Sequence, residues 1–197
     1  MNSDYIKKFV DISLENLGGP EDYGTYVDEA NLVNGLLIDN KRPKKDNLIP
    51  WKPSDSLITD KEIQELETEL KYPLPNSFKQ YLKYKNFYEL GTISNVGMFT
   101  PLLPNEWKRI MLENVFDGWP REELYDKGMI PFANYSDYGL LCFNTNAKDE
   151  NEEYEIVKWD HEVEDEYEIF AQNFGDLMKA IVQNYEEGIK NGVVIFY

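Results

Sequence analysis

One histidine and one cysteine bound the covalent chemistry open to this chain. His161 and Cys142 are the sole examples of their types among 197 residues. A Ser-His-Asp or Cys-His arrangement would therefore have to run through His161. A zinc site takes several Cys or His ligands, and the donors for one are missing. His161 lies in WDHEVEDE, where neighbouring acids favour its protonated form, so it reads as a salt-bridged surface group. Cys142 sits in the apolar run GLLCF and reads as a buried thiol. A single cysteine leaves no disulfide within one chain. There is no phosphate loop and no dinucleotide fingerprint. Carboxylates are plentiful: Asp149, Glu150, Glu152 and Glu153, then Glu162, Glu164, Asp165 and Glu166. The first group could hold calcium only weakly, because the alternating ligand spacing and central glycine of an EF-hand are missing. The expectation is no catalysis, no cofactor and no dedicated metal site. An enzymatic reading would rest on His161.

Recognition is the chemistry that remains. The net charge is -17, and between Asn146 and Glu168 eleven acids face two lysines, a net of -9. Such a chain repels nucleic acid and anionic membranes at long range and attracts basic partners. Carboxylates could occupy positions in a basic cleft where phosphates would sit. The eight acids named above are the steering candidates, since charge complementarity speeds encounter. Trp119, Tyr135, Tyr138, Trp159 and Tyr167 are the anchor candidates, since aromatics dominate buried contacts. Each has a plain structural role beside this one. A charge run is ordinarily a solvated loop, and a strand tryptophan is ordinarily core.

Several elements must position these groups. Tyr5, Ile6, Phe9, Val10, Leu14 and Leu17 recur at helical spacing up to Gly18-Gly19-Pro20. A second helix is expected over Thr25 to Ile38. Lys41, Arg42, Lys44 and Lys45 then form a basic cluster in a Pro-rich linker or surface strap, with Trp51 stapling it to the core. Alternatively this cluster neutralises the acidic loop or touches a partner. Thr59-x-x-Glu62 is a capping box with Ile58 as its staple. The helix it opens runs to about Lys71. A Leu74-Pro75 elbow leads to a helix carrying Phe78, Tyr81 and Leu82. A strand is expected within Thr92 to Thr100, a helix over Glu106 to Phe116 and a short helix over Arg121 to Asp126. Strands follow at Met129 to Ala133, Leu140 to Phe143 and Tyr154 to Trp159. The longest helix is expected over Glu168 to about Glu187. Val193 to Tyr197 has strand propensity and should pack or pair. No run of about 18 apolar residues is present. The start lacks a basic leader, an apolar block and a cleavage site, so a cytoplasmic protein is expected.

The order of these parts resembles the SUKH superfamily, the SMI/KNR-type proteins. The resemblance rests on ITDKEIQELETELKYPLPNSFKQYLKYKN, IPFANYSDYGLLCFNT, IVKWDHE and AQNFGDLM. It covers about Leu57 to Val182. Where relatives often carry Asn-Gly at the tip of the second helix, this chain has Asn86-Phe87-Tyr88, which implies a different tip. The resemblance implies an α+β fold with an antiparallel twisted sheet packed by helices. The resemblance says nothing of residues 1–56, which from their own spacing and composition are expected to form an N-terminal helical extension and linker, with 57–197 the SUKH-like domain. The resemblance further implies an immunity protein that blocks a toxin, often a nucleic-acid enzyme, by stoichiometric binding. The rival it implies is a regulatory scaffold binding several partners, since eukaryotic relatives are linked to cell-wall synthesis control and signalling. The expected partner is a basic toxin domain, and the expected state a monomer or weak homodimer.

Overall fold

A computed structural model describes residues 3–18, 23–163 and 167–192. The Val193 to Tyr197 tail lies outside these residues. Among the described residues, five α-helices and three antiparallel sheets make an α+β fold. Helix α1 spans Ser3–Glu15, and strands β1 (Tyr26–Asp28) and β2 (Leu48–Pro50) form a small ladder. Strand β3 (Ser54–Asp55) precedes α2 (Asp60–Leu70) and α3 (Asn76–Leu82), and β4 (Lys85–Asn86) pairs back to β3. Strand β5 (Val96–Met98) and helix α4 (Glu106–Phe116) follow. Strands β6 (Met129–Tyr135), β7 (Gly139–Lys148), β8 (Tyr154–Asp160) and β9 (Tyr167–Ala171) lead to α5 (Phe174–Lys190). Strands β5 to β9 form one sheet in sequence order. Pro131 has no N–H to give, and the β6–β7 register slips just after it.

The capping box is formed at α2. Thr59 Oγ1 accepts from the Glu62 N–H at 3.2 Å, and Glu62 accepts from the Thr59 N–H at 2.8 Å. Lys71, left-handed at φ 59°, ends the helix. Glu67 then secures the elbow: it accepts from the Leu74 N–H at 2.7 Å and pairs with Lys79 at 2.6 Å. That geometry aims Phe78 into the sheet. Its ring lies 5.1 Å from Phe143, 5.2 Å from Phe174 and 6.0 Å from Phe132. A smaller apolar cluster on other side chains of the sheet holds Leu124, Met129, Leu140, Cys142, Val157 and Trp159.

The N-terminal segment shares the main core. Ile6, Phe9, Val10 and Trp51 are buried in the same cluster as Phe78 and Phe174. Lys8 pairs with Glu186 on α5 at 2.6 Å. The basic cluster is bound within the strap. Arg42 reaches Asp39, Thr25 and the Trp51 carbonyl, Lys44 pairs with Glu29, and Lys45 lies over the Tyr26 ring.

Three expectations need correction. The helix over Thr25 to Ile38 is instead the end of one 3-10 turn (Tyr23–Thr25), a strand, a second 3-10 turn (Glu29–Asn31) and irregular chain. Asp28 takes the Ala30 N–H at 2.9 Å, and Asn34, Gly35 and Leu37 all have positive φ. Arg121 to Asp126 is a turn, with one 3-10 turn at Tyr125–Lys127. The last helix starts at Phe174 rather than Glu168, because Tyr167–Ala171 pairs with β8. Asn173 caps the helix by accepting from the Asp176 N–H at 2.8 Å.

Two tests follow from this packing. A Cβ on Gly91 would meet the Ser13 carbonyl oxygen at 2.6 Å and the Leu17 nitrogen at 2.8 Å. Gly91→Ala should therefore cost about 1–3 kcal/mol in chemical denaturation, through forced displacement of α1. Cys142 is fully buried, and burial pushes its thiol pKa up. It should ignore a thiol reagent such as Ellman's in the native state and react fully in guanidinium.

Candidate partner-binding surface

The Asp149–Glu153 acids and Glu162 flank β8, whose seven residues separate them by about 20 Å. They are close in sequence but lie at opposite ends of that strand, so these described acids do not form one surface.

At one end, Asp149 to Glu153 make a tight turn between β7 and β8. Asp149 accepts from the backbone N–H groups of Asn151 at 2.8 Å and Glu153 at 3.0 Å. The Glu153 N–H, with the Asn151 N–H, holds the Asp149 carboxyl below its usual pKa. This stabilises the turn above the ordinary carboxylate range and is lost as pH falls through the lowered pKa. Lys148 pairs with Glu152 at 2.9 Å and lowers that carboxyl as well. Glu150 is exposed. Among the described residues, no group of three or more His, Cys, Asp or Glu could hold a metal ion.

Glu153 corrects the steering set. It is 7% exposed and faces inward, accepting from the Ser77 N–H at 2.8 Å and from the Ser77 hydroxyl. Helix α3 starts after Pro75, which has no side chain to cap it. A carboxylate from the far end of the chain does that work instead, and the burial removes it from any steering role.

At the other end, the β6–β7 and β8–β9 turns lie together. The His161 N–H donates to the Tyr138 carbonyl at 3.2 Å, and the ring Nδ1 meets the same oxygen. Among the described residues His161 is held by this carbonyl and pairs with no carboxylate. Asp160 accepts from the Glu162 N–H at 2.9 Å and shapes the turn. Asp137, Tyr138, Glu162 and Val163 are exposed. Glu164, Asp165 and Glu166 lie outside the described residues.

The aromatics gather near this second end, in different roles. Trp159 is 2% exposed and belongs to the small core. Its burial corrects its place among the anchors: it supports Trp119, whose ring lies 5.7 Å away at a steep angle. Trp119 is half-buried and also lies 6.4 Å from the His161 ring. Tyr135 packs on Phe170 at 5.0 Å and on Tyr138 at 6.1 Å, with Lys158 over its face. Tyr167 is tied by its hydroxyl to the Glu123 carbonyl. Tyr138 is left as the most accessible of the five. Sequence reasoning missed two exposed apolar side chains, Val163 and Ile169. Val163 between acids was the available signal, because an apolar residue in a charge run has no solvation reason to be there.

The model of the SMI1 / KNR4 family (SUKH-1) matches residues 57–180, and no curated protein matches. The match covers α2 to the first two turns of α5. No helix among the described residues is long and apolar enough to cross a membrane.

The contrast between Glu153 and Glu150 is testable. Glu153→Ala strands the Ser77 N–H and hydroxyl in the interior and should cost about 1–3 kcal/mol in urea unfolding. Glu150→Ala should stay within about 0.5 kcal/mol of the parent.

Proposed function

The chain belongs to the SMI1/KNR4 (SUKH-1) family, and from that premise we propose that it is a cytoplasmic immunity protein. It neutralises a cognate toxin, basic and directed at nucleic acid, by stoichiometric binding. It acts without a cofactor and performs no chemistry on the toxin.

The observation that carries this reading is the family match over most of the chain, together with the exposed acid and aromatic side chains at the β6–β7 and β8–β9 turns. Asp137 and Glu162 point charge outward from a rigid sheet end. Tyr138 and Val163 offer apolar area beside them. Acids at the rim raise the association rate, and an aromatic side chain supplies the lasting contact. The Asp149 turn suits this less well, because its carboxylates are largely engaged by its own backbone and by Lys148.

A scaffold that binds several partners is the second reading. The separation of two acidic ends by about 20 Å favours it, since two partners could dock without collision.

Co-expression with candidate basic toxin domains distinguishes the two. Rescue from one toxin, with a 1:1 complex, supports immunity. No rescue by the intact chain from any toxin it binds would overturn it. Once a partner is in hand, Asp137→Asn with Glu162→Gln should slow association several-fold and flatten its salt dependence. Asp149→Asn with Glu150→Gln should leave the rate unchanged. Equal effects of both pairs in surface plasmon resonance would refute the assignment to the β6–β7 end.

A further inference from the structure

A cleft of about 630 Å³ touches neither acidic turn. One wall comes from residues 26–34, which lie outside the family match: Tyr26, Val27, Leu32 and Val33. The other wall comes from the family core: Tyr88, Pro101 and the first turns of α4. The walls are fixed to each other. The Tyr88 hydroxyl accepts from the Val33 N–H at 3.0 Å and donates to the Leu36 carbonyl at 3.2 Å. Asp28 holds the 3-10 turn of that wall. The cleft is therefore formed before anything binds, which reduces the ordering cost of a ligand.

Its charge is unbalanced. Glu106 is satisfied by Arg109 at 2.9 Å, and Arg109 also pairs with Glu113 at 2.7 Å. Glu89 is exposed at the mouth and meets no cation or hydrogen-bond donor among the described residues. Partial burial raises the pKa of its carboxyl. An exposed carboxylate with no partner at the mouth of a formed cleft attracts a cation that can enter that cleft. The lining is mixed: Asn31, Asn34 and Thr100 stand beside Val27, Leu32, Val33 and Pro101, which suits a side chain with a hydrocarbon stem and a polar head.

We propose that this cleft receives an arginine or lysine side chain presented by a protein partner, with Glu89 as its counter-charge and Val27, Leu32, Val33 and Pro101 around its stem. The site does not depend on the toxin reading; any basic protein partner could use it. It makes the N-terminal segment part of the recognition surface.

The test uses the free, full-length protein. N-acetyl-arginine amide is titrated by 1H–15N correlation spectra, beside its neutral counterpart N-acetyl-citrulline amide and the free polyamine spermidine. Saturable shifts at Val27, Val33 and Glu89 are expected with the arginine probe, at least tenfold weaker with citrulline. Glu89→Gln, an exposed change that should leave the spectrum folded, should erase that preference. No saturable shift with the arginine probe, or an unchanged preference in E89Q, overturns the proposal. Tighter spermidine binding at the same amides would overturn the side-chain assignment in favour of a free small cation. Because no toxin enters the experiment, its failure is separate from failure of the immunity reading.

Discussion

Phe78 is the side chain on which the rest of the structure closes. Helix α3 has seven residues, too few to persist alone in water. It is held because Phe78 meets β6, β7 and α5 aromatics at once. Edge-to-face and tilted pairs of this kind add to the area they bury. The neighbouring residue extends the same constraint. Ser77 turns its N–H and hydroxyl to Glu153, so the end of β8 is tied to the helix that fills the sheet. Elbow, helix, sheet and acidic turn are thus coupled through two consecutive residues.

This coupling decides which acids are structural. A carboxylate that caps a helix from the interior cannot also steer a partner in solvent. Asp149 is spent in a different way, on the backbone of its own turn. The long-range field of the -17 chain still contains these charges, because a field sums over every charge present. Specific contact needs side chains free to change partners, and among the described carboxylates near the sheet ends Asp137, Glu150 and Glu162 fit that description better than Asp149, Glu152 or Glu153. Separating field from contact explains how a charge run can be functional although most of its members are occupied locally.

The legible parts of the fold were those whose signals are local. The capping box at Thr59, the Leu74-Pro75 elbow and α4 each carry their boundaries in a few adjacent residues. The family likeness over Leu57 to Val182 was carried by the same local words, and the matched range is 57–180. What failed depended on distant partners. Tyr167–Ala171 has apolar spacing that fits a helix or a strand, and only the free edge of β8 decides between them. Tyr26–Asp28 becomes a strand because Leu48–Pro50 returns to pair with it. Glu153 reads as one more acid in a run until Ser77, 76 positions away, claims it. Cys142 was legible as core from its apolar neighbours, whereas Trp159, between Lys158 and Asp160, read as an anchor as readily as core, and the support it gives Trp119 was not legible. The separation of Glu162 from the Asp149 turn follows from β8 alone and was available from strand length. It was obscured by counting charge along the chain instead of along the sheet.

The N-terminal segment changes what the family core can present. Alone, the surface around Tyr88, Pro101 and α4 would be an open shelf, where a single carboxylate such as Glu89 stays hydrated and holds a cation weakly. The wall at residues 26–34 turns that shelf into one side of a cleft and fixes the direction from which a cation can reach the carboxylate. Partial burial of Glu89 raises its pKa in the free protein. Recognition then gains a contact with a preset depth and lining, set apart from the sheet end that carries the freer acids. A partner that satisfies both must match their spacing as well as their charge, and a strongly acidic chain needs such a geometric filter, because charge alone would attract every basic protein it meets.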